Sequence, residues 1–332
     1  MKKLFLTSIV LLLSIAASAK SYKIGPFSVT GMDFASINAA MSTVSAGDTL
    51  LLDKAYKETS EQTVTKAIVI IGNGFDTTTS TIAQIGTLNL KADGIHVNSL
   101  YVTNVNFYNY DCRLYRCFVG SSASWAGASA ATGSNCIHSC YFTGTISGKS
   151  ATAIFDIQNT ILFTSTSDVI YNLNNSNICH CVIYGSSNNY SKYLIQNVTS
   201  SNITDNIIVN TNNNSFTISN YNISSMNTIH HNVMSGFQNT TNYPLNIIGY
   251  VLANICKSNG TTISGTYFEL KSGSPALNYA SDGSDCGIYG GLYPYVDYGR
   301  PIYVPYFTNV NVPAKATNGT LPISITVEVQ NK

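Results

Sequence analysis

Between Leu114 and Met234 the chain repeats a short pattern of apolar and polar positions: an apolar residue, two polar residues, a Cys, Asn or Thr, any residue, and a second apolar residue. Its six copies run 114–119, 137–142, 157–162, 178–183, 203–208 and 229–234, so their first residues lie 23, 20, 21, 25 and 26 apart. Strand-like contents at that spacing predict a coil that stacks on itself, each turn covering the apolar face of the last. The expected fold is all-β, a right-handed single-stranded parallel β-helix. Its fourth repeat position, held by Cys117, Cys140, Thr160, Cys181, Asn206 and Asn232, predicts a ladder of small side chains at an inward corner.

The same periodicities place the flanking elements. Phe34, Ile37, Ala40, Met41 and Val44 recur at helical spacing behind Asp33, an expected N-cap, so a short amphipathic helix should cap the first coil. Strands are expected at 49–52, 67–71, 82–90 and 94–107, with Gly72-Asn73-Gly74 as a bend. The small-residue stretch 121–134, which carries the lone tryptophan, Trp125, predicts a loop thrown out from the stack. Beyond residue 300, Val304 to Val312 and Leu321 to Val329 alternate apolar and polar residues around Asn318-Gly319, which predicts a small C-terminal β appendage over 301–332.

Composition narrows the partners. Of 332 residues 44% are hydrophobic and only 10% charged, with Lys+Arg 17 against Asp+Glu 16, so no nucleic acid and no anionic membrane surface is expected as a partner. Asn takes the place of charge, at 20 of the 75 residues from Asn172 to Asn246, which suits bends and ladders. Residues 1–19 read as a secretory signal peptide, with Lys2-Lys3, an apolar run and Ala17-Ser18-Ala19 at the end, leaving 20–300 as the β-helix. The apolar run is too short for a membrane span, so an exported, non-spanning protein is expected, extracellular, at the cell surface or in the periplasm. Eight cysteines in an exported chain raise the prospect of disulfides, a Cys117–Cys140 bridge among them. Three of the eight share a repeat position with Thr and Asn, and free buried thiols fit that position better. No metal site and no cofactor are expected.

From Gly260 the texture changes. Gly273-Ser-Pro-Ala-Leu277 is followed by Asp282-Gly-Ser-Asp-Cys-Gly287-Ile-Tyr-Gly-Gly291 and then by a tyrosine-rich run. This stretch resembles the closing segment of secreted bacterial right-handed β-helix proteins, the pectin-lyase-like group, and residues 34–56 are similar to their entrance. Asn278-Tyr279-Ala280 and Ile288 depart from the group's usual residues. The resemblance covers roughly residues 30 to 300 and implies the fold. The group's hydrolases carry paired Asp, Gly-His-Gly and Arg-x-Lys, and its lyases carry clustered carboxylates beside a basic residue. Neither set is found here: between Asp168 and Glu269 the sole carboxylate is Asp205.

Two candidate sites remain. In register, the third repeat position reads Arg116, Ser139, Asn159, His180, Asp205, His231, so His180, Asp205 and His231 should stack along one corner about 4.8 Å apart. A carboxylate between imidazoles can raise their pKa values, bind a divalent metal or orient a base, and an alternative is a solvated corner where Asp205 hydrogen-bonds one His. Trp125 is the candidate sugar-stacking ring, the alternative being a ring tucked onto the coil. The expected function is a non-catalytic module, monomeric, that binds extended carbohydrate, polysaccharide being the candidate partner. A polysaccharide lyase or glycoside hydrolase with an atypical site, and a structural adhesin-like spacer, are the alternatives.

Overall fold

The computed structural model describes residues 19–76, 81–127, 133–148, 153–164, 168–185, 193–211, 217–218, 227–236, 243–257 and 268–300, with the backbone of Tyr306–Asn311 and Ser324–Glu328. The signal-peptide stretch 1–18 lies outside them. The chain winds into a parallel β-helix. A first sheet stacks ten strands in chain succession from Ser21–Ile24 to Thr228–His230, and a second sheet holds thirteen. All described pairings within both sheets are parallel, and adjacent coils add strands side by side.

The repeat is the coil. Leu114, Ile137, Ile157, Ile178, Ile203 and Ile229 pair in succession along the first sheet. Val119, Phe142, Leu162, Ile183, Ile208 and Met234 do so along the second. All twelve side chains are buried in one core. Between the two rows the third-position residues Arg116, Ser139, Asn159, His180, Asp205 and His231 all adopt left-handed backbone, with φ from 48 to 64°. One left-handed residue bends the strand and shifts its in-out alternation by one, so positions one, four and six face inward. That conformation costs an ordinary L-residue about 1–2 kcal/mol and is tolerated best by Asn, Asp and His. Four of the six corner residues are of these types. Their polarity therefore has a conformational cause before any chemical one.

The bend leaves the fourth-position amide pointing along the coil axis, and the fourth-position side chain of the next coil satisfies it. Cys117 N donates to Cys140 Sγ (3.4 Å), Cys140 N to Thr160 Oγ1 (3.3 Å), Cys181 N to Asn206 Oδ1 (2.8 Å), Asn206 N to Asn232 Oδ1 (3.0 Å) and Asn232 N to Asn246 Oδ1 (3.1 Å). The same side chains donate back to carbonyls of the preceding coil, as Thr160 Oγ1 does to Ile137 O and Asn206 Nδ2 to Ile178 O. A small side chain with a hydrogen-bonding atom is what this rung requires. All eight cysteines are free thiols, and Cys117 and Cys140 meet through an amide-to-sulfur hydrogen bond. An earlier coil uses the same bend, with Val97 paired to Leu114, Ser99 at φ 57° and Val102 paired to Val119. It escapes the sequence pattern because Leu100 takes the fourth position.

The helix is shorter than its apolar spacing suggests, Ile37–Ala40, and is N-capped by Ser36, whose Oγ accepts from Ala39 N. Asp33 instead accepts from Lys23 N at 2.7 Å, which holds it outside the helix. Asn38 ties the helix to the strand Lys57–Val64 through Glu61 O and Thr63 N. At the other terminus Tyr306–Asn311 and Ser324–Glu328 pair antiparallel.

The expected loop at 121–134 begins as a strand, Phe118–Trp125. Ala123 and Trp125 follow the inward alternation, Trp125 pairs in register with Phe107, and its ring is 4% exposed and stacked on Tyr110 (centroids 5.1 Å apart). Only residues 128–132 of that stretch lie outside the described ones.

The fifth repeat position faces outward, yet Phe118, Tyr141, Ile161, Val182, Ile207 and Val233 are all at most 5% exposed. They form an apolar stripe down the outside of the second sheet. Leu252, Ile255, Phe268, Ala276, Cys286, Ile288 and Tyr295 cover it, making a second core. Residues 268–300 thus act as a strap running back along the flank of the coil. Each large side chain buried beneath the strap is worth about 1.5–3 kcal/mol.

Candidate functional site

His180, Asp205 and His231 lie on one corner row, and the strap lies over that row. Asp205 Oδ1 accepts from Ser281 N (2.6 Å) and Oδ2 from Ser281 Oγ (2.8 Å), while its carbonyl accepts from Gly287 N (2.9 Å). His180 Nε2 stands 3.9 Å from Asp205 and 3.7 Å from Asp282 of the strap. A Cβ on Gly290 or Gly291 would lie 2.7 or 2.6 Å from the His180 ring, so the backbone can pass only without one. His231 lies against Tyr279, and Cys286 Sγ donates to its carbonyl.

The row continues in the same manner. Asn159 Nδ2 donates to Ile288 O and Gly290 O, Ser139 Oγ donates to Tyr293 O, and Phe75 N donates to Tyr298 O. Arg300 then pairs with Asp76 at 2.9 Å. Successive corner residues therefore bind successive parts of the strap. With His180 and Asp205 only 5% and 4% exposed, these two are closed to a polymer from outside, whereas His231 is half-buried. What its polar groups do here is fasten the strap. Of the residues that fasten it, Asp282 and Gly290 stood out in the sequence only as part of the closing-segment resemblance and Ser281 not at all, because nothing local ties residue 281 to residue 205.

Asp205, His230 and His231 also bring three potential ligand atoms within 4.8 Å of one another. Both Asp205 oxygens are committed to Ser281, and the two imidazoles meet each other, Nδ1 to Nδ1, at 2.8 Å. Burial and then the neighbouring His231 push the His230 pKa down, so the neutral ring is favoured.

An open concavity lies elsewhere, over the strands Lys57–Val64, Gln84–Leu90 and Tyr101–Phe107. It is a cleft of about 420 Å³ lined by Lys57, Glu58, Thr59, Gln84, Ile85, Gly86, Thr87, Tyr101, Thr103 and Asn104. Register shifts in these ladders, between Glu58 and Glu61 and between Val102 and Asn104, bend the strands here. Tyr101 is the fifth-position residue of the Val97 coil and stacks on Phe118 at 4.6 Å, so it extends the apolar stripe. Unlike Phe118 and the members after it, Tyr101 is only partly buried and faces the cleft. Glu58 is held ionised, its pKa lowered by the Ser60 hydroxyl and the Ser60 N–H, which donate at 2.7 and 3.0 Å.

No protein-family model and no curated protein matches the sequence. Among solved structures, the crystal structure of pectate lyase Pel9A is similar at 14% identity and a TM-score of 0.41, covering 84% of this chain and 98% of that one. The strand ladders of this chain define its own fold as a parallel β-helix. Among the described residues no helix is long and apolar enough to cross a membrane.

Proposed function

We propose that this protein is an exported β-helix module that binds extended carbohydrate in the cleft over Tyr101 and does not cleave it. The observation that carries the reading is the make-up of that cleft: one partly buried tyrosine ring among Gln84, Thr87, Thr103 and Asn104. An aromatic face offers a sugar its apolar side, and planar amides and hydroxyls offer donors and acceptors for its hydroxyl groups. Lys57 adds one cation at the rim. Hydrolysis of a glycosidic bond ordinarily calls for two flanking carboxylates, and among the described lining residues Glu58 is the single one. The His180, Asp205 and His231 row, the catalytic alternative, lies under the strap. Export rests on the character of residues 1–19.

Size-exclusion chromatography of residues 20–332 with a panel of polysaccharides, with and without chelator, tests the reading. The expected result is co-elution with at least one polymer, no chain shortening, and affinity lowered about tenfold or more by Tyr101→Ala, a loss of about 1.4 kcal/mol. Chain shortening that disappears in Asp205→Ala would transfer the function to the corner row. Absence of co-elution with every polymer would remove the carbohydrate reading.

A further inference from the structure

We propose that Cys136, His138 and Asp156 bind one zinc ion on the outer face of the first sheet. Cys136 and His138 are two residues apart on the strand Asn135–His138 and so share a face, and Asp156 is the direct partner of Cys136 on the next coil. One ligand atom from each, a thiol sulfur, a ring nitrogen and a carboxylate oxygen, all lie within 4.8 Å of one another. His138 Nε2 is already 2.8 Å from Asp156 Oδ2. Donors around a tetrahedral zinc stand about 3.4–3.7 Å apart, given bond lengths of about 2.0–2.3 Å, so side-chain adjustments on a fixed backbone suffice.

The surroundings are those of a held site. Asp156 Oδ1 accepts from Gln158 Nε2 and Asn177 Nδ2, both at 2.8 Å, which orients the carboxylate from behind as outer partners of metal ligands do. The His138 ring is packed against Tyr115 and stacked on Tyr293 of the strap at 4.5 Å. That ring is 3% exposed and its Nδ1 has no hydrogen-bond partner, an independent sign that the imidazole has donor capacity left over. Asp156 is 26% exposed at its side chain and Cys136 is half-buried, so an ion can enter and a fourth ligand position faces outward.

The donor set selects the ion. Calcium and magnesium take oxygen ligands, whereas one thiolate, one imidazole and one carboxylate suit zinc. Thiolate and carboxylate together carry two negative charges, which a divalent cation balances. The three ligands fall 20 residues apart on two coils, so no Cys-x-x-Cys or His-pair spacing announces them.

Equilibrium dialysis of residues 20–332 against zinc, with cobalt as the spectroscopic substitute, is the test. One zinc per chain, a metal-dependent rise in Tm, and a thiolate-to-cobalt charge-transfer band are expected. Cys136→Ser should abolish the band and weaken zinc binding at least tenfold while circular dichroism shows the fold intact. Asp156→Asn should weaken binding less, and Cys179→Ser, which removes the other half-buried thiol, should leave band and stoichiometry unchanged. Failure to bind zinc stoichiometrically, a band that survives Cys136→Ser, or a band lost in Cys179→Ser would overturn the assignment.

Discussion

Asn206→Ala should destabilise the coil by far more than a polar-to-apolar change at a buried position suggests. Asn206 is fully buried; its Oδ1 accepts from Cys181 N at 2.8 Å, and its Nδ2 donates to Ile178 O and Asn232 Oδ1, both at 2.9 Å. Alanine removes all three bonds and leaves the Cys181 amide buried without an acceptor. One orphaned buried group costs about 1–3 kcal/mol, and the lost donor to Ile178 O with the void left behind brings the total to about 3–5 kcal/mol. Threonine at the same rung already works elsewhere: Thr160 Oγ1 accepts from Cys140 N and donates to Ile137 O, both at 3.3 Å. Asn206→Thr should therefore cost about 1–2 kcal/mol. Urea denaturation gives the ranking, and amide exchange gives the location, because a solenoid loses stability mainly at the altered coil and its neighbours. Exchange at the Cys181 amide should accelerate strongly in the alanine variant and weakly in the threonine one. Equal losses for the two variants, within about 0.5 kcal/mol, would refute the ladder argument, since shape alone would then explain the site.

Three further outcomes follow from the geometry. Asp205→Ala deletes two hydrogen bonds to Ser281 and should loosen the strap by about 2–4 kcal/mol, with limited proteolysis and amide exchange rising across 279–291 before the strands respond; Asp205→Asn should retain about half of that. Burial, then Arg113, lowers the His96 pKa, and burial, then His231, lowers that of His230, from an ordinary 6.5. A lowered imidazole pKa means that the unfolded chain binds the proton more readily, so stability is full above about pH 6.5 and falls as pH drops through the folded values. Replacing both with Gln should flatten that dependence in pH-stepped urea titrations. All eight thiols should alkylate in denaturant without reductant, while in the native chain Cys136 should react first. Cys179 is the other half-buried thiol; burial raises the pKa of both, but that of Cys179 is pushed up to about 12, by burial first and by the charges of Asp156, Asp205 and Asp282 against a lowering hydrogen bond from Asn177, which leaves it the poorer in thiolate; labelling followed by peptide mass spectrometry reads the order.

The inward residues were legible in the sequence because a strand alternates its side chains and a stacked coil repeats that alternation. Leu114, Cys117 and Val119, with their counterparts in five later copies, could be named without coordinates, and the third position could be placed on one corner. The fifth position was the missed signal. Treated as free, it reads Phe118, Tyr141, Ile161, Val182, Ile207, Val233, an apolar column that had to be covered by something. Trp125 was misassigned to a loop because small residues surround it, whereas its inward place in the strand Phe118–Trp125 follows from pairing with Phe107.

The sequence by itself determined the coil, its rungs and its corner row, since these depend on side-chain alternation and left-handed preference within a few residues. Only the tertiary structure decided what each row faces. The strap lies across Asp205 and His180 from 76 positions or more along the chain, and the long-range packing leaves Phe118 covered while Tyr101, on the same stripe, stays partly buried and borders the cleft. The meeting of Cys136, His138 and Asp156 depends on a turn length that brings residue 156 beside residue 136 and not one place away. Burial and proximity of that kind are set by long-range packing, which a local pattern of apolar and polar residues constrains but does not specify.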